Sequence, residues 1–419
     1  MTVAQAVPVR RLPYRGLVSS YFVSEVGTAM SGVAIPWLVL VASGSAGRTG
    51  LVGFAEMAPY VLLQATSGPL ADRIGWRRTC VGGNVIAAAG VCAIPVLHVL
   101  GGLSFGVLLA LVAVAGTARG AADAATSPLV PGTAALAGMS NERAAGLYSG
   151  ANRAALLIGL PAAGLLIGAT SPATVVLLDG ISFAVAALGF AVTVPSSVQP
   201  ERPDGPMNLR SYRAELGEGL RFLRDDRLLL GLAAMVAFTN LLDQALSAVL
   251  LPVWVRVHLH DASGVGVVGG VLAVGLLAGV LIGAWLGERL PRRLTFAVGF
   301  LIAGAPPFLA LAIFSTLPPV LVVVAVAGFF GGFQNPIIGA VLYERVPARL
   351  QARVLGAVRA SAWVGIPLGA LVGGALAEFA GLRAALIITG LVMFAVTVAP
   401  FAFPVWHQME RPGGARRSR

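Results

Sequence analysis

The chain has 419 residues, of which 57% are hydrophobic and only 11% are charged. A soluble domain carries about 25% charged residues, so this composition excludes a soluble enzyme, a soluble nucleic-acid-binding protein and a secreted disulfide scaffold. The formal net charge is +11, and every basic residue apart from four histidines is an arginine. In a membrane chain the placement of these arginines matters more than their sum.

Apolar stretches long enough to cross a bilayer recur along the whole chain, since each span needs about 20 residues. Six precede a polar segment, and we predict them at 17–42, 49–70, 79–99, 103–126, 145–168 and 172–194. Six more follow that segment, at 228–256, 265–287, 294–316, 318–343, 354–378 and 383–405. The pattern predicts an all-α integral membrane protein with twelve transmembrane helices in two six-helix halves. The predicted domains are an N-terminal half (1–195), a cytoplasmic linker (196–227), a C-terminal half (228–406) and a basic cytoplasmic tail (407–419).

The arginines alternate with these spans. The N-terminus, the even-numbered connections and the C-terminal tail hold 23 of them, the other side holds three, and three lie within spans. Because arginine-rich segments stay in the cytoplasm, this bias predicts that both termini and the linker are cytoplasmic. A cell-membrane protein with this multi-pass topology follows.

The two halves are repeats of one another. A shift of 216 positions relates Pro36 to Pro252 and Ala29 to Ala245. A shift of 206 relates a second set of residues, in which Arg153, Gly159 and Pro161 correspond to Arg359, Gly365 and Pro367. Parallel six-span repeats are related by an axis along the membrane normal, and transporters built in this way bind substrate at the midplane between the halves. We therefore expect pseudo-symmetric halves around a central cavity.

A short motif joins spans 2 and 3. It reads Gly-Pro-Leu-Ala-Asp-Arg-Ile-Gly-Trp-Arg-Arg from position 68, and its distinctive members are Gly68, Asp72, Arg73, Gly75, Arg77 and Arg78. The motif resembles the signature loop of the major facilitator superfamily, except for Trp76 at a position that is often basic. Glu288 and Arg289 begin a degraded copy in the second half. The resemblance implies a conformational gate; the alternative is a plain positive-inside anchor.

Span 5 carries a second motif, Gly159-Leu-Pro161-Ala-Ala-Gly164. It resembles the Gly-Pro-x-x-Gly signature of the superfamily's exporters, in which proline kinks the helix and glycines permit close packing. In the linker, Leu216, Leu220 and Leu223 share one face of an amphipathic segment that resembles the macrolide-efflux and siderophore-exporter branch. We expect an interfacial helix there.

Acidic side chains inside spans demand a partner or a cavity, because a charge at the bilayer centre costs about 2.5–3.5 kcal/mol. Asp243 lies near the middle of span 7, and Asn240 and Gln244 are spaced to share its helix face. Its counterpart under the 216 shift is Gly27, so the shared fold does not require an acid there. We predict that Asp243 is the foremost proton-coupling residue; a structural hydrogen bond is the alternative.

Other charged residues are weaker candidates. Glu25 in span 1 is a candidate cavity residue, and Asp123 is spaced to pair with Arg119 on span 4. The resemblance implies a role in proton coupling for the span-4 arginine; a self-neutralised ion pair is equally compatible. Arg153 and Arg359 repeat in both halves, which favours a structural role. We interpret Glu56 and Asp179 as acids solvated near the outer membrane surface.

The first functional hypothesis is a secondary active transporter, a proton-driven exporter of amphipathic organic compounds such as drugs, antibiotics or siderophores. The alternatives are an importer of a small metabolite and a non-transporting membrane receptor on the same fold. No phosphate-binding loop or metal-ligand spacing is present in the sequence, so we expect no enzymatic activity and no cofactor beyond the proton gradient. The expected partners are a small-molecule substrate and the lipid bilayer, but no nucleic acid, and we expect a monomer.

Overall fold

The computed structural model describes residues 10–198, 209–286, 289–347 and 350–410. These residues are helical almost throughout and contain no strand. Eleven helices among them are long and apolar enough to cross a membrane. The remaining predicted span is the 21-residue helix Ala46–Thr66, whose apolar character is diluted by Arg48, Glu56 and Gln64. The all-α membrane fold is as predicted.

The described residues of the first half of the chain form eight helices. They are α1 (Leu12–Ser43), α2 (Ala46–Thr66), α3 (Gly68–Ile74), α4 (Trp76–Val99), α5 (Phe105–Thr126), α6 (Leu129–Leu136), α7 (Asn141–Ala169) and α8 (Pro172–Thr193). The motif between spans 2 and 3 is thus a short helix, α3, and Gly75 makes the turn into α4. The φ angle of Gly75 is +98°, a conformation that side chains other than glycine rarely adopt.

The linker contains a helix at the predicted position, α9 (Leu209–Asp225); residues 199–208 of the linker lie outside the described residues. The helices that follow are α10 (Arg227–Ala245), α11 (Leu251–His258), α12 (Ser263–Leu286), α13 (Arg292–Ile313), α14 (Leu317–Gly331), α15 (Gln334–Arg345), α16 (Gln351–Ala380), α17 (Leu382–Thr397) and α18 (Ala399–Ala402). A π-helical turn at Leu246–Leu250 joins α10 to α11. A 3₁₀ helix, Pro404–Met409, ends the described chain.

The helices pack into two compact units. The first unit contains residues 10–34, 55–159 and 170–198. Helix α4 lies between α5 and α8. These helices approach each other closely at glycines. A Cβ atom on Gly83 would lie 2.6 Å from the carbonyl oxygen of Ala118, and a Cβ atom on Gly180 would overlap Cys92. Small residues let helix backbones approach closely where lipid offers no hydrophobic driving force between helices.

The second unit contains the described residues from 209 onward together with segments 35–54 and 160–169. Helix α10 packs on α16, and α14 packs on α12 and α13. The segment 35–54 is held against α16, because the Glu378 carboxylate accepts hydrogen bonds from the Ser45 hydroxyl and the Gly47 amide, both at 3.0 Å. Gly50 and Gly374 also face each other, with only 3.1 Å between a Cβ built on Gly50 and the Gly374 Cα atom.

Equivalent contacts in the two units confirm the sequence repeat. In the first unit, Gly116 and Gly120 of α5 pack against the carbonyl oxygens of Glu56 and Tyr60 of α2. In the second unit, two glycines with the same spacing pack against carbonyl oxygens of α12. Gly328 of α14 packs against Leu272, and Gly332, which directly follows α14, packs against Leu276. The same helix pair is therefore built twice.

The packing corrects one register. Gly159 of α7 lies against the carbonyl oxygen of Val26, and its repeat equivalent Gly365 lies against that of Ala237. Positions 26 and 237 differ by 211, so span 1 and the first part of span 7 are offset by 211 rather than 216. Asp243 therefore corresponds to Gly32 and not to Gly27. This counterpart is also a glycine, so the shared fold does not require an acid at position 243.

Candidate functional site

A buried charge cluster surrounds Arg119 in the first unit. Its guanidinium Nη1 lies 3.4 Å from Oε1 of Glu56, and its Nε lies 3.7 Å from Oδ2 of Asp123. The guanidinium also lies over the ring of Tyr60, 4.4 Å from its centroid, in cation–π geometry. The three charged side chains are each less than a fifth exposed. The predicted pairing of Arg119 with Asp123 is confirmed, but Glu56 shares the same cation.

Helix α2 supplies a row of polar side chains to this cluster. The Gln64 amide donates a hydrogen bond to the Tyr60 hydroxyl at 3.2 Å, and that hydroxyl donates to the Asp123 carboxylate at 3.0 Å. Glu56, Tyr60 and Gln64 are spaced by four residues and so lie on one face of α2. This spacing could have been read from the sequence, yet Tyr60 and Gln64 were not predicted as site residues.

Glu25 lies on α1 beside the same cluster. Its carboxylate accepts a hydrogen bond of 2.7 Å from Asn152 of α7, whose amide also lies 3.2 Å from the Tyr21 hydroxyl. Tyr21 stacks on Tyr148 with ring centroids 4.3 Å apart. Glu25 also interacts electrostatically with Asp123 and Arg119. The predicted residues Glu25, Arg119 and Asp123 therefore come together, although α1 and α5 are far apart in sequence.

The interpretation of Glu56 and Asp179 as solvated surface acids is wrong. Glu56 is paired with Arg119, as described above. Asp179 of α8 is only 2% exposed. The Ser182 hydroxyl donates to it at 3.4 Å, and its Oδ1 lies 2.5 Å from where a Cβ atom on Gly27 would be. Both acids are therefore interior groups of the first unit.

The structure places the span-7 candidates differently from the spacing argument. Asn240 donates a hydrogen bond to the carbonyl oxygen of Ala362 at 3.0 Å, and Gln244 packs against Gly369, so both are directed at α16. Asp243 is exposed, and its carboxylate makes no hydrogen bond or ion pair with any residue that the structure describes. The predicted tuning of Asp243 by Asn240 and Gln244 is therefore not seen.

The motif between spans 2 and 3 is held together by Trp76, the residue that departs from the usual pattern. Its indole nitrogen donates to the Asp72 carboxylate at 3.2 Å. Arg77 donates to the carbonyl oxygen of Ala191 on α8, whereas Arg73 and Arg78 are exposed. Gly68 starts α3, and Gly75 ends it.

The second copy of this motif is only partly described. Glu288 lies outside the described residues, and the Arg289 guanidinium lies 5.8 Å from the ring centroid of Trp285. The next arginine, Arg292, forms a bidentate ion pair with Glu344 at 2.5 and 2.7 Å. The basic end of α13 is therefore fixed to α15.

The residues of the span-5 motif contact two different helices. Gly159 packs on α1, whereas a Cβ atom on Gly164 would lie 3.0 Å from the Cα atom of Gly266 on α12, and Pro161 packs against Gly270. In α16, Gly365 packs on α10, and Pro367 is buried. These residues serve helix packing as predicted. Arg153 and Arg359 are both exposed and form no ion pair with any described residue.

The long apolar helices indicate a multi-pass membrane protein. The buried charge cluster, which occurs in only one of the two repeats, is typical of a transporter. The sequence matches the family model of the Major Facilitator Superfamily at residues 17–242 and 233–418, and the chain belongs to this superfamily. The predicted resemblance is thereby confirmed.

Relatives at the sequence level are named multidrug efflux pump Tap. The one from Mycobacterium tuberculosis is 30% identical over 391 residues, covering 92% of each chain. The one from Mycolicibacterium fortuitum is 26% identical over 413 residues, covering 96% of this chain and 98% of the relative.

Solved structures share the fold. A variant of the nucleoside transporter NupG has a TM-score of 0.78 at 12% identity, covering 93% of this chain and 99% of its own. A bacterial homologue of the human lysosomal transporter Spinster has a TM-score of 0.72 at 15% identity, covering 97% and 100%.

Proposed function

We propose that this protein exports amphipathic small organic compounds across the cell membrane, with protons moving inward in exchange. The relatives named multidrug efflux pumps support export and a broad substrate range. The glycine-proline motif of span 5, which resembles the exporter signature, supports the same direction. The energy source in this proposal is the proton gradient, without a cofactor, and the working unit is a monomer.

The observation that carries the proposal is the charge balance around Arg119. Four carboxylates lie in this interior region, on Glu25, Glu56, Asp123 and Asp179, and the one guanidinium of the cluster can balance only one of them. An unbalanced buried charge is costly in a membrane. Three negative charges must therefore be neutralised by protons or by a cationic part of the substrate. Competition between these two ligands would couple their movements.

The same geometry moves the proposed proton site from Asp243 to the cluster. A ligand shifts a conformational equilibrium only if it changes interactions that differ between the two states. Protonation of Asp123 removes its attraction for Arg119 and leaves Glu56 as the remaining anionic partner of that cation. Protonation of Asp243 changes no hydrogen bond or ion pair among the described residues. We therefore propose that Asp243 contacts substrate and does not couple the proton.

The orientation is also proposed. The bias of arginines to one set of connections supports cytoplasmic termini, a cytoplasmic α9 and a location in the cell membrane. In this orientation α1 runs outward and α2 runs inward.

Accumulation of an amphipathic fluorescent dye in everted membrane vesicles tests the function. We expect vesicles containing the protein to accumulate dye when a proton gradient is present and to lose it when an uncoupler is added. Asp123→Asn should retain expression but lose gradient-driven accumulation. Glu142→Gln is the matched control, because Glu142 is an exposed acid at the start of α7. Dye accumulation that is indifferent to the uncoupler would contradict proton coupling.

A further inference from the structure

Asp179 is the most enclosed acid among the described residues of the first unit. It is 2% exposed and lies seven residues into α8, about 10 Å along the axis at 1.5 Å per residue. Its hydrogen-bond donor among the described side chains is the hydroxyl of Ser182, one turn further along its own helix. The buried hydroxyl of Ser31 on α1 lies nearby and has no hydrogen-bond partner among the described residues. No basic side chain that the structure describes lies within ion-pair distance of it.

The groups that face Asp179 come from four other helices. Helix α1 contributes Gly27 and Ser31, and Glu25 lies further along the same helix. Helix α4 contributes the thiol of Cys92. Helices α2 and α5 contribute more distant charges, Glu56 and Arg119, that act on Asp179 electrostatically. The one cation among these groups is already shared by Glu56 and Asp123.

An ionised carboxylate in this position is therefore poorly compensated. One hydrogen bond of 3.4 Å from Ser182 cannot replace the hydration of a full charge, and burying an ion without a partner is strongly unfavourable. A neutral carboxyl group, by contrast, can both donate and accept hydrogen bonds with hydroxyl neighbours. The enclosed geometry therefore suits a carboxyl group that holds a proton, whereas water that reaches Asp179 would stabilise its anion.

The depth of Asp179 in the membrane indicates the direction in which a proton would move. In the proposed orientation α8 enters from the outside, so Asp179 lies nearer the outer surface than Glu56, which is ten residues into α2, and Arg119, which is fourteen residues into α5. Ordered from outside to inside, the acids form a path towards the Arg119 cluster.

We propose that Asp179 is a further proton-binding residue of this transporter, the outer station from which a proton reaches the Arg119 cluster. The proposal rests on the proposed proton-coupled export. In the step, the Asp179 carboxylate takes one proton from water on the outer side, releases it to an acid of the cluster and returns to its anionic form. One proton moves, and no electrons are transferred.

The first test uses the unmodified protein and does not depend on transport. Dicyclohexylcarbodiimide is an apolar reagent that adds to protonated carboxyl groups. We expect mass spectrometry to find an adduct at Asp179 at pH 6, in at least about tenfold excess over exposed Glu142, and to find less of it as pH rises. Absence of the adduct between pH 5 and pH 8 would overturn the proposal.

The second test separates proton binding from a structural hydrogen bond. Asp179→Asn keeps the shape and the contact with Ser182 but cannot titrate, so it should fold normally and lose at least about tenfold in gradient-driven accumulation. Ser182→Ala removes the hydrogen bond and leaves the acid, so it should retain accumulation within about twofold. The opposite ranking would make Asp179 a structural residue.

The two proposals fail in distinguishable ways. If the unmodified protein is insensitive to an uncoupler, proton-coupled export fails, while labelling still reports whether Asp179 holds a proton. If the unmodified protein is sensitive to the uncoupler and Asp179→Asn accumulates substrate equally well, only the role of Asp179 is overturned.

Discussion

Helices α2 and α5 of the first unit form the same type of backbone contact as α12 and α14 of the second. The side chains around the two contacts differ, because the first contact carries charged residues and the second does not. In each, two glycines four residues apart press on two carbonyl oxygens of the partner helix. The carbonyls belong to Glu56 and Tyr60 in the first unit and to Leu272 and Leu276 in the second. Aligned through these glycines, Arg119 corresponds to Gly331, and Asp123 corresponds to Asn335.

The difference separates what the fold requires from what the function requires. The glycines occur in both contacts, so they serve the architecture that both units share. The charges occur in only one, and a helix pair with corresponding glycine-to-carbonyl contacts forms without them. The ion pairs of Arg119 are therefore not needed to hold such helices together, and their desolvation cost points to a role in transport.

The shared glycines should be the most sensitive positions. Gly120→Val and Gly332→Val each direct a branched side chain at the backbone of the partner helix, and overpacking of this kind costs about 1–3 kcal/mol or more. We expect both variants to lose most monodisperse protein in size-exclusion chromatography of detergent extracts. Gly82→Val is the control, because open space surrounds a Cβ atom at Gly82. Normal yield from both variants would mean that these contacts do not hold the units together.

Making the first contact resemble the second should spare folding and remove function. Tyr60→Leu introduces the residue found at the matching position 276 and leaves Arg119 without its aromatic face and Asp123 without a hydrogen-bond donor. We expect normal expression and at least about tenfold lower dye accumulation, equivalent to about 1.4 kcal/mol. Leu276→Met, a volume-conserving change in the second unit, should accumulate dye normally. Equal activity of the two variants would remove the functional distinction between the contacts.

A smaller effect is expected at the motif that precedes α4. Trp76→Phe removes the hydrogen bond to Asp72, and Asp72→Asn removes the negative charge while leaving an acceptor. If the motif stabilises one conformation more than the other, each variant should slow transport roughly two- to fivefold, as expected for about 0.5–1 kcal/mol. Initial rates in everted vesicles measure this. Full rates for both variants at normal expression would leave the motif as a topology anchor alone.

Topology can be tested without any change in activity. Ser197→Cys places a thiol at an exposed position of the linker, which we expect to react with a membrane-impermeant maleimide only from the cytoplasmic side. Cys92→Ser supplies the background for this experiment, because Cys80 is fully buried next to Thr126. Labelling of position 197 in intact cells would reverse the proposed orientation of both units.

The fold could be predicted because hydrophobic length, arginine placement and repeat spacing can all be read directly from the sequence. It also predicted that Arg119 pairs with Asp123, since the two lie one turn apart on a single helix. It could not predict that Glu56 would join them, because this depends on the approach of α2 to α5 through Gly116. The prediction for the polar residues of span 7 was wrong for a similar reason. Asn240 donates a hydrogen bond to a backbone carbonyl of α16, and residue spacing within span 7 does not reveal that contact.

In the proposed mechanism, the acids of the first unit bind the proton. Substrate accumulation driven by an imposed pH gradient in everted vesicles, compared between Asp123→Asn and Asp243→Asn, tests it most directly. We predict that Asp123→Asn abolishes gradient-driven accumulation but still exchanges substrate down its concentration gradient, whereas Asp243→Asn changes apparent substrate affinity and keeps its response to the pH gradient. Loss of the pH response in Asp243→Asn, with a normal response in Asp123→Asn, would contradict the account and return the proton site to span 7.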